Sequence, residues 1–127
     1  MTNYNLEEAH LIKAQIILSF ILLFTTIISI SLSYNFLLGL EDKEQIYTEI
    51  ESSEILILNR TIMFIVAAIF IYINIRDKRV KEKYNLEDEF ANLQIDASVL
   101  NFIAALIVLY VGLKSGSNIT SGENPTI

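Results

Sequence analysis

Three long apolar stretches alternate with two short charged ones along the chain. Residues 14–40 contain no charged side chain, residues 55–75 contain only Arg60, and residues 97–113 are again uncharged. A helix needs about 20 apolar residues to cross the hydrocarbon core of a bilayer, since each residue adds about 1.5 Å. The pattern therefore predicts an all-α integral membrane protein with three transmembrane helices.

These helices form one predicted unit, residues 1–113, with short loops. We place them at residues 6–40, 55–77 and 86–113. The remaining residues, 114–127, are rich in Gly, Ser and Asn and are predicted to form a disordered tail.

The first apolar stretch also resembles a signal peptide, because Ser31-Leu32-Ser33 could serve as a cleavage site. It is, however, nearly twice as long as an ordinary signal-peptide core, and Glu7 and Glu8 precede it. We therefore favour a retained helix.

The distribution of basic residues predicts the orientation in the membrane. The segment between helices 2 and 3 holds a basic cluster, and the segment between helices 1 and 2 holds six acids and only Lys43. Short loops rich in Lys and Arg stay in the cytoplasm, which predicts the N-terminus inside and the C-terminus outside. The cluster could hold anionic lipid headgroups or dock a cytoplasmic partner. It consists of Arg76, Lys78, Arg79, Lys81 and Lys83.

A short motif occurs twice, as YNLEE at residues 4–8 and as YNLED at residues 84–88. Asn5 and Asn85 suit the N-cap of a helix, with Glu8 and Asp88 at the third helical position of a capping box. A duplication relating helices 1 and 3 is the alternative. We favour the repeated use of one helix-start pattern.

Small and polar side chains recur along one face of each predicted helix. Such faces allow helices to pack closely, and they could also line a pore or a substrate path. They carry no acid, base or metal-binding set, which favours packing. The candidate residues for this packing surface or pore stripe are Gln15, Ser19, Thr26, Ser29, Ser33, Asn59, Asn74, Asn101 and Gly112.

Two charged residues are expected at the membrane boundaries. Arg60 is expected to extend outward beside Glu54 and to fix the depth of helix 2, or else to place a positive charge at a pore mouth or an anion site. Asp96 is expected to form an interfacial ion pair, with Arg76 or Lys13 as its partner. A role for Asp96 in proton relay is the alternative.

Composition argues against several classes of protein. The net charge of −6 and the pI near 4.7 disfavour nucleic acid as a partner. The chain has no cysteine and a single histidine, His10, so no metal-ligand or disulfide pattern is present. No nucleophile–base pair or phosphate-binding loop occurs. We therefore predict no catalytic, cofactor-binding or metal-binding residues, no identifiable small-molecule substrate and no enzymatic activity.

The function predicted from these features is that of an accessory, regulatory or immunity-type membrane subunit. It would act through helix–helix contacts, with the lipid bilayer and other membrane helices, its own or another protein's, as partners. The alternative is a homo-oligomeric pore, holin-like or a small channel or transporter, lined by the helix 1 stripe. Heavy use of isoleucine and scarcity of Gly, Pro and Trp suggest a bacterial or phage source, and hence the bacterial cytoplasmic membrane.

Overall fold

A computed structural model describes residues 2–115, which fold as three helices. These are α1 (Asn3–Leu40), α2 (Glu49–Lys83) and α3 (Ala91–Ser115). Each helix is long and apolar enough to cross a membrane, judged by length and composition. The prediction of an all-α protein with three long apolar helices is therefore confirmed. Most of the predicted disordered tail lies outside the described residues.

The two long helices begin at threonine caps. Thr2 accepts a hydrogen bond from the Asn5 amide at 3.0 Å and is the N-cap of α1. Thr48 and Glu51 form a capping box, with reciprocal hydrogen bonds of 3.0 and 3.1 Å, and start α2. Helix α2 thus begins well before the apolar stretch. Its charged ends are rich in Glu, Lys and Arg, which favour helix and suit the helix dipole.

The two copies of the YNLE motif adopt different structures, so the prediction that both start a helix in the same way is wrong. Asn5 lies within the first turn of α1. Asn85 has a φ of 58° and terminates α2, where the Leu86 amide donates to the Lys81 carbonyl at 2.8 Å. This is a Schellman-type helix end, which favours Gly or Asn at the left-handed position. Helix α3 starts only at Ala91.

The helices alternate in direction, which creates two chemically different ends. The basic end comprises the start of α1, the end of α2 and the turn that leads to α3. The acidic end comprises the loop at residues 41–48, the adjoining ends of α1 and α2, and the end of α3.

Helix α2 is the central element of the fold. It packs against both α1 and α3, whereas no Cα atom of α1 lies within 8 Å of a Cα atom of α3. The core is correspondingly small and centres on Leu18, Val66 and Ile73. Many large apolar side chains point outward, such as Phe20 and Leu100, both 67% exposed. This outward apolar surface suits contact with lipid.

Candidate functional site

An open cleft is lined by residues of α2 and α3 and by one residue of α1. It has a volume of about 640 Å³ and includes Leu22 of α1 in its lining. The floor is formed by Met63, Ala67 and Phe70 of α2. The wall contributed by α3 is built largely from small residues: Ala97, Ala104 and Ala105. Small residues let another helix backbone approach closely, so the cleft is suited to helix packing.

Polar groups are placed at both ends of this cleft. Asn74 of α2 donates to the hydroxyl of Ser98 on α3, and the Ser98 hydroxyl donates to the Gln94 carbonyl at 2.8 Å. Asn101 also lines the cleft and is exposed. Its amide can therefore donate and accept hydrogen bonds with a group that enters the cleft.

Arg60 closes the opposite end of the cleft, and its position corrects the sequence-based interpretation. Its side chain is 3% exposed and lies against α3, where Nη1 donates to the Val108 carbonyl at 2.8 Å. It does not extend outward beside Glu54. A Cβ atom added at Gly112 would lie 3.0 Å from Arg60 Nη1 and 3.1 Å from Arg60 Cδ. The absence of a side chain at Gly112 therefore makes room for the guanidinium group.

Asn59 provides the main polar contact between α1 and α2. It is 1% exposed and donates to the Thr25 carbonyl at 3.1 Å and to the Ser29 hydroxyl at 3.2 Å. Asn59 and Ser29 belong to the predicted packing surface, and the structure brings them together. Thr25, which is 2% exposed, was not predicted.

The rest of the predicted stripe on α1 is displaced from the contact with α2. The buried residues of α1 are Leu18, Thr25, Leu32, Asn35 and Leu38. Ser19 and Thr26 are exposed, and Gln15 and Ser33 are partly buried. Ser19 and Thr26 lie three residues before and four residues after the cleft residue Leu22, so they share its face of the helix. The α1 residue that lines the cleft is Leu22, and the stripe residues of α1 are not part of the lining.

A second polar network ties the acidic loop to α1. Asn35, which is 4% exposed, accepts a hydrogen bond from the Tyr47 amide at 2.8 Å and donates to the Ser52 hydroxyl at 3.1 Å. The Tyr47 hydroxyl lies 2.7 Å from the Ser31 hydroxyl. These bonds hold the loop against the helix ends. Asn35 was not among the predicted residues, because a single Asn in an apolar run gives no spacing signal.

The basic cluster forms part of helix α2 and is largely paired with acids. Lys81 Nζ lies 3.0 Å from Asp77 and 3.1 Å from Asp88, and Lys83 Nζ lies 3.0 Å from Glu7. The Phe90 amide, together with Lys81, holds the pKa of Asp88 below its usual range. These pairings leave fewer free ammonium groups for lipid headgroups than the sequence suggests.

Lys78, a third lysine of the cluster, donates a hydrogen bond to the Asn92 side-chain oxygen at 2.7 Å and lies 3.9 Å from the Glu82 carboxylate. Arg76 is partly buried and Arg79 is exposed. Asp96 is exposed and makes no ion pair within residues 2–115, so the predicted partnership with Arg76 or Lys13 is not observed.

Comparison with known proteins gives no further identification. No family model, curated protein or solved structure matches the chain. Within residues 2–115, no group of three His, Cys, Asp or Glu side chains could hold a metal ion.

Proposed function

We propose that this protein is a multi-pass membrane protein that binds a transmembrane helix of another membrane protein in the cleft along α2. It would thereby act as an accessory, regulatory or immunity-type subunit rather than as an enzyme. The observation that carries this proposal is the missing contact between α1 and α3, which leaves a small-residue surface on α3 without a helix beside it.

The chemistry of the cleft favours a helix over a lipid chain as its occupant. Ala67, Ala104 and Ala105 allow a helix backbone to approach closely, and such contacts drive helix association in membranes. The exposed amide of Asn101 can form a hydrogen bond with a polar side chain of a partner helix, whereas an acyl chain offers no hydrogen-bonding group.

The proposed orientation places the basic end in the cytoplasm. Six basic residues would then lie inside: Lys13 and the five of the basic cluster. Two would lie outside, Lys43 and Lys114, and the buried Arg60 is counted with them because it lies in the half of α2 nearer the acidic end. Because Lys and Arg determine orientation whereas acids contribute little, the ion pairs at the basic end do not change this count.

A photo-crosslinking amino acid at Ala104 tests the proposal. In the native membrane we expect it to crosslink to a different membrane protein. Ile103 provides the matched control, because it adjoins Ala104 in sequence, is 44% exposed, and lies about 100° further around the helix. A crosslinker at Ile103 should give at most weak crosslinks to that partner.

Three outcomes would decide against the proposal. Crosslinking from Ala104 to lipid alone would contradict a protein partner. Equal crosslinking from Ile103 would show that the cleft has no special role. Crosslinking only between copies of this chain, together with ionic conductance in planar bilayers, would instead support the homo-oligomeric pore.

A further inference from the structure

Two carboxyl groups meet where α1 and α2 pack together at the basic end. Asp77 of α2 is 8% exposed, and the Glu8 carboxyl of α1 lies within hydrogen-bonding range of it. The Glu8 Oε2 atom is shielded from solvent and receives no hydrogen bond from the described residues. Both groups lie outside the uncharged stretches at residues 14–40 and 61–75.

The nearby positive charges are already shared with other carboxylates. Lys81, the ammonium group closest to the pair, lies 3.0 Å from Asp77 and 3.1 Å from Asp88. Lys83, together with Arg76, acts on Glu7 instead. On the side of α3, the charged group at this cluster is Asp88, which lies in the preceding turn and is paired with Lys81. One lysine therefore faces three carboxylates: Glu8, Asp77 and Asp88.

Two ionised carboxylates in this position repel each other, and neither can donate a hydrogen bond to the other. A single proton between them removes one negative charge and supplies the missing donor. Burial, and then the hydrogen bond with Asp77, raise the pKa of Glu8 to about 7, against an opposing effect of Lys81.

We propose that Glu8 and Asp77 share one proton across the contact between α1 and α2, and that loss of this proton loosens the basic end. The contact would then respond to pH. This inference does not depend on the function proposed for the cleft, because it concerns the contact between α1 and α2 at the basic end, whereas the cleft is lined mainly by α2 and α3.

The direction of the response follows from proton binding. The packed ends hold the proton up to about pH 7, whereas Glu8 in separated ends would release it near its ordinary value of 4.5. The packed state therefore binds more protons between these values, and its stability falls as the pH rises through that window. The ratio of separated to packed ends should increase by at most about tenfold per pH unit and level off above pH 7.

Distance measurements by electron spin resonance test this in the full chain, reconstituted in lipid nanodiscs. The sequence contains no cysteine, so spin labels attach only at Asn5→Cys and Arg79→Cys, two exposed positions at the basic end. The population with a longer inter-label distance should grow between about pH 5 and about pH 7. With Glu8→Gln, which carries no titrating proton, the distance distribution should not depend on pH in this range.

Glu7→Gln is the matched control. Glu7 adjoins Glu8, but its hydrogen bond with Lys83 holds its pKa below the usual range. This variant should keep the pH dependence of the native chain. An unchanged distance distribution in the native chain, or equal pH dependence in Glu8→Gln and Glu7→Gln, would overturn the proposal.

The ¹³C chemical shift of the Glu8 carboxyl group provides a second readout that does not require a variant. A titration midpoint near that of an exposed glutamate would also overturn the proposal. A midpoint well above it would support the shared proton.

Discussion

Arg60 and Gly112 form a pair in which one residue depends on the size of the other. The guanidinium group occupies the space beside Gly112 and donates to the carbonyl of Val108, one helical turn earlier on α3. A buried charge of this kind is tolerated only when its donors are matched by nearby acceptors. The position of Arg60 thus depends on the lack of a side chain at Gly112.

We expect Gly112→Ala to destabilise the contact between α2 and α3 by about 1–3 kcal/mol, because the added methyl group forces the Arg60 side chain to move. Reversible unfolding in detergent micelles measures this cost. In an Arg60→Met background the same substitution should cost much less, since the crowded guanidinium group is gone. An equal cost in both backgrounds would contradict the proposed dependence.

The structure places some of the predicted packing residues at helix contacts and others away from them. Asn59, Asn74 and Gly112 were predicted and lie at helix contacts. On α1, however, Ser19 and Thr26 of the predicted stripe are exposed, and their hydroxyls bond to carbonyls of their own helix. Ser19 donates to the Gln15 carbonyl at 2.8 Å. A hydroxyl satisfied in this way need not face a neighbouring helix, so its position does not reveal the packed face.

At the scale of the helices, length and type were predictable and the ends were not. Uncharged runs of sufficient length determine where a spanning helix must be. The ends of α2 lie in charged sequence, where helix propensity and the cap at Thr48 decide. The two copies of the YNLE motif show the difficulty. The motif lies within the first turn of α1 at Asn5, but it terminates α2 at Asn85.

This difference can be measured by comparing the two asparagines. We expect Asn85→Ala to destabilise the protein by about 1 kcal/mol, because alanine is less favourable than asparagine in the left-handed conformation. Asn85→Gly should be close to neutral, since glycine adopts this conformation freely. Asn5→Ala should cost little, because the Thr2 cap uses only the Asn5 backbone amide. Similar losses for Asn5→Ala and Asn85→Ala would indicate equivalent roles.

For the whole molecule, the open arrangement of three helices could not be derived from sequence. Periodicity identifies which residues of a helix are apolar, but all three helices here are apolar over most of their circumference. It therefore does not show that α2 is central or that α1 and α3 remain apart. The membrane orientation, in contrast, is predicted from the charge distribution alone and can be tested directly.

We expect a cysteine at Lys43 to react with a membrane-impermeant thiol reagent in intact cells, and a cysteine at Glu82 to react only after lysis. The two positions are well matched, since both side chains are 63% exposed. Val80 would be a poor choice, because it is only 3% exposed. Replacing all five residues of the basic cluster with Gln should give mixed orientations. Reaction of Glu82→Cys in intact cells, with Lys43→Cys protected, would mean that the threading is inverted.

The hydrogen bonds of α1 also bear on the order in which the helices pack together during synthesis. Under the proposed threading, α1 leaves the ribosome and enters the bilayer before α2 is complete. Ser19 and Thr26 already bond to carbonyls of their own helix, so these two hydroxyls need no partner helix when α1 enters the lipid, whereas Asn35 must await Tyr47 and Ser52. Asn59 of α2 then finds its acceptors on α1, whereas Asn74 must await Ser98 on α3. The polar contacts between helices can thus form in the order in which the helices are synthesised.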